Sequence, residues 1–145
     1  MKISTRGRYA LRFMLDLALY GGDSYVPLRE ISQRQGISPK YLEQIVSLFH
    51  KNGLLKSVRG AQGGYKLARA PKDYTIGEIL RTTEGPLAPV SCLESETNEC
   101  PRCDSCGTLW FWTGLYQAVN DYVDSVTLAD LCDRQKSAGQ HDFCI

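Results

Sequence analysis

Apolar positions recur at helical spacing over most of the chain, broken once by a short strand-like stretch. Leu11, Met14, Leu15, Ala18 and Leu19 mark a first helix, which Gly21-Gly22 ends. A short second helix begins at Pro27 with Leu28 and Ile31 inward, and Gln35-Gly36 breaks it. Ser38 as N-cap and Pro39 at the first helical position open a third. Its Leu42, Ile45, Val46 and Phe49 share one face, and Lys40, Glu43, Gln44, Ser47 and Lys51 occupy the other. Residues 54–59 and 65–68 read as strands around the turn Gly60-Ala61-Gln62-Gly63-Gly64. Thr75 and Glu78 form a capping box for a helix with Ile76, Ile79 and Leu80 inward. Leu109, Trp112, Tyr116, Val119, Val123 and Val126 recur at alternating spacings of three and four, a heptad seam. Thr127 caps a last short helix with Leu128 and Leu131, and a flexible tail is expected over 137–145.

Two helices joined by a short glycine-containing turn, the second presenting polar residues, make a helix-turn-helix, and a hairpin directly after it is a wing. The fold class is therefore mainly α with a small β-wing. A winged helix-turn-helix domain is expected over 1–84 and a cysteine-rich loop over 85–107. A dimerisation helix with the short last helix follows over 108–136. The charge supports a polyanion partner. Residues 1–72 carry 13 Lys/Arg against 4 Asp/Glu and residues 73–145 carry 4 against 12, a contrast hidden in the net +1. The third helix offers Ser38, Lys40, Tyr41, Glu43, Gln44 and Lys51 to double-stranded DNA, and Arg6 and Arg8 offer phosphate contacts. Arg59, Gly60, Gln62 and Gly63 form the wing tip, where an arginine suits a narrow minor groove. A two-fold homodimer paired along the seam would match a palindromic operator.

No apolar run approaches the roughly 20 residues of a membrane span, and a cytoplasmic location is expected. There clustered thiols bind metal more often than they form disulfides. Four of the six cysteines, Cys92, Cys100, Cys103 and Cys106, fall within fifteen residues. Cys100-x2-Cys103-x2-Cys106 mirrors the run that holds 4Fe–4S clusters, and four thiolates equally satisfy tetrahedral zinc. Free thiols acting as a redox switch remain a further reading. Cys132 and Cys144 read as ordinary small residues. His50 and His141 stand in no catalytic constellation, so the chain does not read as an enzyme.

With these residues assembled, the chain resembles the IscR/CymR-type winged helix-turn-helix transcriptional regulators, and in pattern the iron–sulfur regulators among them. The resemblance rests on residues 2–10, Ile37-Ser38, Tyr41-Leu42-Glu43-Gln44, Lys51-Asn52-Gly53-Leu54, and above all on Ser57-Val58-Arg59-Gly60-Ala61-Gln62-Gly63-Gly64-Tyr65. It implies DNA contacts from Glu43, Gln44 and Arg59, and a 2Fe–2S cluster on Cys92, Cys100 and Cys106. It also implies repression of iron–sulfur biogenesis genes. Two family ligand positions depart from the pattern, with Leu109 in place of histidine and Arg8 in place of aspartate. The fourth ligand is then Cys103, Glu43 or a small molecule. The alternative is a repressor of cysteine and sulfur metabolism without a cluster, acting through a partner enzyme, or a zinc or thiol redox sensor. The end, His141 to Ile145, resembles the tail by which serine acetyltransferase docks into cysteine synthase, which makes that enzyme a candidate partner, with an unstructured tail as the alternative.

Overall fold

The computed structural model describes the backbone of residues 1–142 and the side chains of residues 1–139. Six helices and one hairpin follow in the order α1 (Thr5–Tyr20), α2 (Leu28–Gln35), α3 (Pro39–Lys51), β1 (Leu55–Val58), β2 (Gly64–Leu67), α4 (Ile76–Glu84), α5 (Leu109–Ser125) and α6 (Leu128–Asp142). This is a mainly helical winged helix-turn-helix fold with a two-stranded wing and long C-terminal helices. None of the described helices is long and apolar enough to cross a membrane.

Helix starts follow local capping chemistry. The hydroxyls of Ser4, Ser38 and Thr75 accept from the backbone N–H of Gly7, Tyr41 and Glu78, three residues on in each case. Gly36 closes α2 in the left-handed region, φ 64°, where a side chain would be strained, and so makes the sharp turn into α3.

The core gathers Phe13, Ile31, Leu42, Ile45, Phe49, Tyr74, Ile79 and Leu128, all fully or nearly fully buried. On α3 the buried face is the expected one, Leu42, Ile45, Val46 and Phe49. On α1 it is rotated. Ala10, Phe13, Met14 and Leu17 form the buried stripe, while Leu11, Leu15 and Ala18 are only partly covered. Apolar residues lie nearly all round α1, so spacing alone does not select the face.

The wing is antiparallel, with Leu55 opposite Leu67, Lys56 opposite Lys66, Ser57 opposite Tyr65 and Val58 opposite Gly64. Val26 bridges to Tyr65 through two backbone bonds of 2.8 and 2.9 Å, which lays the α1–α2 connection along the edge of β2.

A second backbone bridge closes the C-terminal half. Ile76 N–H donates to the Val126 carbonyl and Leu128 N–H to that of Tyr74, both at 2.9 Å. Between these anchors, α5 packs on α4. A Cβ at Gly77 would strike Asp124 and Val123, so a glycine there permits the close approach. Thr127 and Asp130 cap α6 reciprocally, at 2.8 and 3.1 Å. The last helix was expected to be short, with a flexible tail from 137. It instead runs fifteen residues, to Asp142. Gly139 lies inside it at a cost of about 1 kcal/mol, too little to end a helix that is otherwise well started.

Candidate DNA interface and cysteine loop

The exposed face of α3 carries Lys40, Glu43, Gln44, Ser47 and Lys51. Tyr41 is half-buried, its ring edge-on to Tyr9 at 5.4 Å between centroids. Ser38 is exposed, with its hydroxyl engaged in the cap of α3.

Between α3 and the wing lies a cleft of about 630 Å³ whose lining includes Glu43, Ser47, His50, Lys51, Arg59 and Gly60. Arg59 is exposed at the end of β1, and Gly60 turns the chain at φ 113°. Gln62 is exposed and Gly63 half-buried, and a Cβ on Gly63 would strike the Val58 carbonyl. Of the expected recognition-helix and wing residues, the cleft brings together Glu43, Lys51, Arg59, Gly60 and Gly63, while Ser38, Lys40, Tyr41, Gln44 and Gln62 lie outside its lining. It adds Ser47 and His50, which the sequence reading left outside the site. Their spacing of four and seven residues from Glu43 was the available signal.

Arg6 and Arg8 lie apart from this cleft. The Arg6 guanidinium donates to the Thr83 carbonyl at 3.0 Å, tying the start of α1 to the end of α4. Arg8 donates to the Thr5 hydroxyl at 3.0 Å. Asp16, only 1 % exposed, accepts two close bonds from Arg34 and one from Gln35, which pins α2 and its turn to α1. That contact raises the Arg34 pKa.

The cysteine loop leaves α4 at Gly85. Cys92 and Cys100 share a cleft of about 250 Å³ with Glu99 and Ser95. Cys106 lies on a separate groove of about 580 Å³ at the start of α5, beside Trp110 and Gly114. Cys92, Cys100 and Cys103 are half-buried, Cys106 is exposed, and all four are free thiols. The Thr108 hydroxyl and backbone amide hold the Cys106 thiol below its ordinary pKa. Burial pushes Cys132 up.

Soft thiolates suit iron–sulfur clusters and zinc. Among the described residues no three Cys, His, Asp or Glu side chains converge on a point that could hold a metal ion. Glu43 lines the α3–wing cleft, and no loop cysteine lines that cleft. In this conformation the loop forms no ligand set.

On α5 the heptad seam divides. Val119, Val123 and Val126 pack on the chain's own core, and Val126 follows the helix as an extended residue. Leu109, Trp112 and Tyr116 are half-buried. The large apolar groups that α5 leaves open to solvent are Trp110, Phe111 and Tyr122, at 85, 53 and 70 % exposure. Phe111, Leu115, Ala118 and Tyr122 form a second stripe of heptad spacing, which the first obscured in the sequence. Phe143 to Ile145, with the expected cysteine-synthase docking end, lie outside the described residues.

Known proteins share this arrangement. The chain is 44 % identical over 131 residues to the HTH-type transcriptional regulator CymR of Bacillus subtilis, covering 90 % of this chain and 89 % of that protein. The solved structure of CymR, described as the global cysteine regulator of B. subtilis, superposes with a TM-score of 0.75. It covers 92 % of this chain and 98 % of that one at 39 % identity. The HTH-type transcriptional regulator IscR of Erwinia tasmaniensis is 38 % identical over 136 residues, covering 94 % of this chain and 81 % of that protein. The IscR structure from T. potens has a TM-score of 0.77 at 40 % identity, covering 95 % of this chain and 90 % of that one. Residues 3–134 match the Rrf2 family, described as an iron-dependent transcriptional regulator. The chain belongs to the Rrf2 family and is a DNA-binding transcriptional regulator, not an enzyme.

Proposed function

We propose that this chain is a homodimeric, operator-binding repressor whose grip on DNA is set by the thiols of its cysteine loop. Its place would be in cysteine and sulfur metabolism. The supporting observation is the position of Cys106, an exposed thiol on the groove that contains Trp110 and Gly114, beside the apolar face of α5. The similarity to CymR, described as a cysteine regulator, favours the same reading.

On DNA, the exposed face of α3 enters the major groove and Arg59 enters the adjacent minor groove. Glu43 can accept from a cytosine amino group and repels phosphate, so it filters sequence. A second copy, paired through α5, doubles the contacts on a palindrome. Control runs through sulfur exchange. The Cys106 thiolate attacks a low-molecular-weight disulfide, one S–S bond forms as another breaks, and the displaced half leaves as a thiolate. The group added to Cys106 then fills the groove beside Trp110 and disturbs the pairing face.

The second reading is a cluster sensor, favoured by the soft donor set itself: four thiols in fifteen residues. Cys92, Cys100 and Cys106 would hold a 2Fe–2S cluster, with Cys103, Glu43 or a small molecule completing it. A 4Fe–4S cluster or zinc would use the same donors. An iron–sulfur cluster would supply redox sensitivity, and either group would fix the loop, which must close for the donors to meet.

Anaerobic purification with an absorption spectrum and iron, sulfide and zinc analysis separates the two. DNA affinity is measured alongside at fixed salt for reduced, disulfide-treated and metal-loaded protein. The thiol reading expects colourless protein whose affinity falls about tenfold on disulfide treatment, or about 1.4 kcal/mol, and recovers on reduction. Coloured protein with iron and sulfide, whose affinity differs between loaded and stripped forms, would instead establish the cluster. Equal affinity in every state removes the sensing role altogether.

A further inference from the structure

The outer face of the wing carries an arrangement that sequence recognition by α3 and Arg59 does not explain. Lys56 and Lys66 stand directly opposite each other across the β1–β2 ladder. Directly opposed side chains have Cβ atoms about 5 Å apart, and like charges so placed repel. Among the described residues neither lysine has a salt-bridge partner, since the ion pairs there belong to Arg34, Arg69 and Arg81. Lys66 is nonetheless held in place, its ammonium 4.9 Å from the centre of the Tyr25 ring.

Strand alternation puts this pair on the face away from α3. Ser57 and Tyr65 line the cleft beside the recognition helix. Lys56 and Lys66 line a different cleft of about 480 Å³, together with Asp23, Arg69, Leu17 and Pro71. Arg69 is occupied by Glu78 at 2.6 Å, and Asp23 is the one acid in the lining. The cleft keeps a positive balance with two unneutralised ammonium groups.

We infer that Lys56 and Lys66 form a second DNA contact, taking backbone phosphates on the side of the wing away from α3. The inference rests on the DNA-binding reading and extends its footprint. A minor groove about 6 Å wide cannot admit a two-stranded ribbon lying flat, since its strands alone are about 4.8 Å apart. The wing must enter by its tip, with Arg59 leading. Phosphates then flank both faces of the hairpin. Lys56 lies three residues before Arg59, about 10 Å back along an extended strand, where it meets the groove's edge and not its floor. Repulsion between the two ammonium groups, unfavourable in the free protein, is relieved when phosphates come between them. Contacts of this kind position the protein and carry no base information.

The test uses the full-length dimer and two duplexes of about three helical turns. One carries a site selected by the wild-type protein from a randomised pool, and the other an unselected sequence. Affinity is measured against salt for wild type, the double variant Lys56→Gln/Lys66→Gln and, as a wing control, Arg59→Ala. Each phosphate contact adds about 0.9 to the slope of log affinity on log salt, so losing two per protomer should flatten the dimer's slope by about 3.6. The double variant should weaken on both duplexes alike, keep its ratio of selected to unselected binding, and melt no lower than wild type. Arginine at both positions should restore the slope. An unchanged slope in a double variant that melts normally overturns the inference. Wild-type protein that prefers neither duplex overturns the operator-binding reading itself, a distinct failure.

Discussion

Tyr74 is fully buried, and its hydroxyl donates to the Leu54 carbonyl at 2.6 Å and accepts from the N–H groups of Ala68 and Arg69 at 2.9 and 3.1 Å. One oxygen thus satisfies the backbone on both sides of the wing's base. Tyr74→Phe should cost about 1 kcal/mol, because the hydroxyl's bonds are lost while Ala68 N–H keeps its 3.3 Å bond to the Leu54 carbonyl. Urea denaturation checks this, and a loss within a few tenths of wild type would show that the backbone finds other partners. No local pattern pointed to Tyr74, since its partners lie 5, 6 and 20 residues away. Asp16 was hidden for a related reason. It stands among apolar residues on α1, and only the arrival of Arg34 and Gln35 from α2 makes its burial tolerable. Arg59, by contrast, was legible because a cation before a glycine-rich turn has few other uses.

Helices whose two faces differ sharply in polarity could be read from spacing. On α3 the buried and exposed residues both came out as expected, and with them most of the candidate interface. On α1 and α5 apolar residues exceed one face, and the choice between faces belongs to the tertiary packing. The α4–α5 contact adds an ion pair, Arg81 to Asp124 at 2.8 Å. The Arg81 guanidinium holds the Asp124 carboxyl below the usual carboxylate range, chiefly through their hydrogen bond. A carboxyl with a lower pKa folded than unfolded stabilises fully above about pH 4, the unfolded value, and loses that contribution as pH falls through the folded one. Both side chains are over a third exposed, so solvent screening keeps the effect below about 1 kcal/mol. Asp124→Asn should therefore be slightly less stable than wild type at pH 7, with the gap closing in acid. A gap that is constant from pH 7 to pH 2 in denaturation curves would contradict this.

For the whole molecule, α5 leaves three large apolar side chains in solvent while its valines serve the chain's own core. Trp110→Ser with Tyr122→Ser should give a folded monomer, because neither residue is part of the core. Sedimentation at micromolar concentration reads this directly, and a persistent dimer would place the pairing face elsewhere. The two-part layout, reader before and sulfur-rich segment after, was visible in charge and cysteine spacing. How the thiols sit was not. Their separation into two clefts depends on turns within residues 91–105 that carry little periodic signal.

The bridge that joins Tyr74 and Ile76 to Val126 and Leu128 clasps the base of a long excursion, in which α4 and the valines of α5 serve the core and the segment from Cys92 to Cys106 between them does not. A protease that accepts acidic sites and cuts once among the exposed residues 94–97 should leave two pieces that travel together through gel filtration. They should separate only when the winged helix-turn-helix core itself melts, since the fragment starting after the cut still contributes Leu128 to the interior. Covalent continuity of the sulfur segment is then dispensable for shape, and its length can change without unfolding the reader it serves.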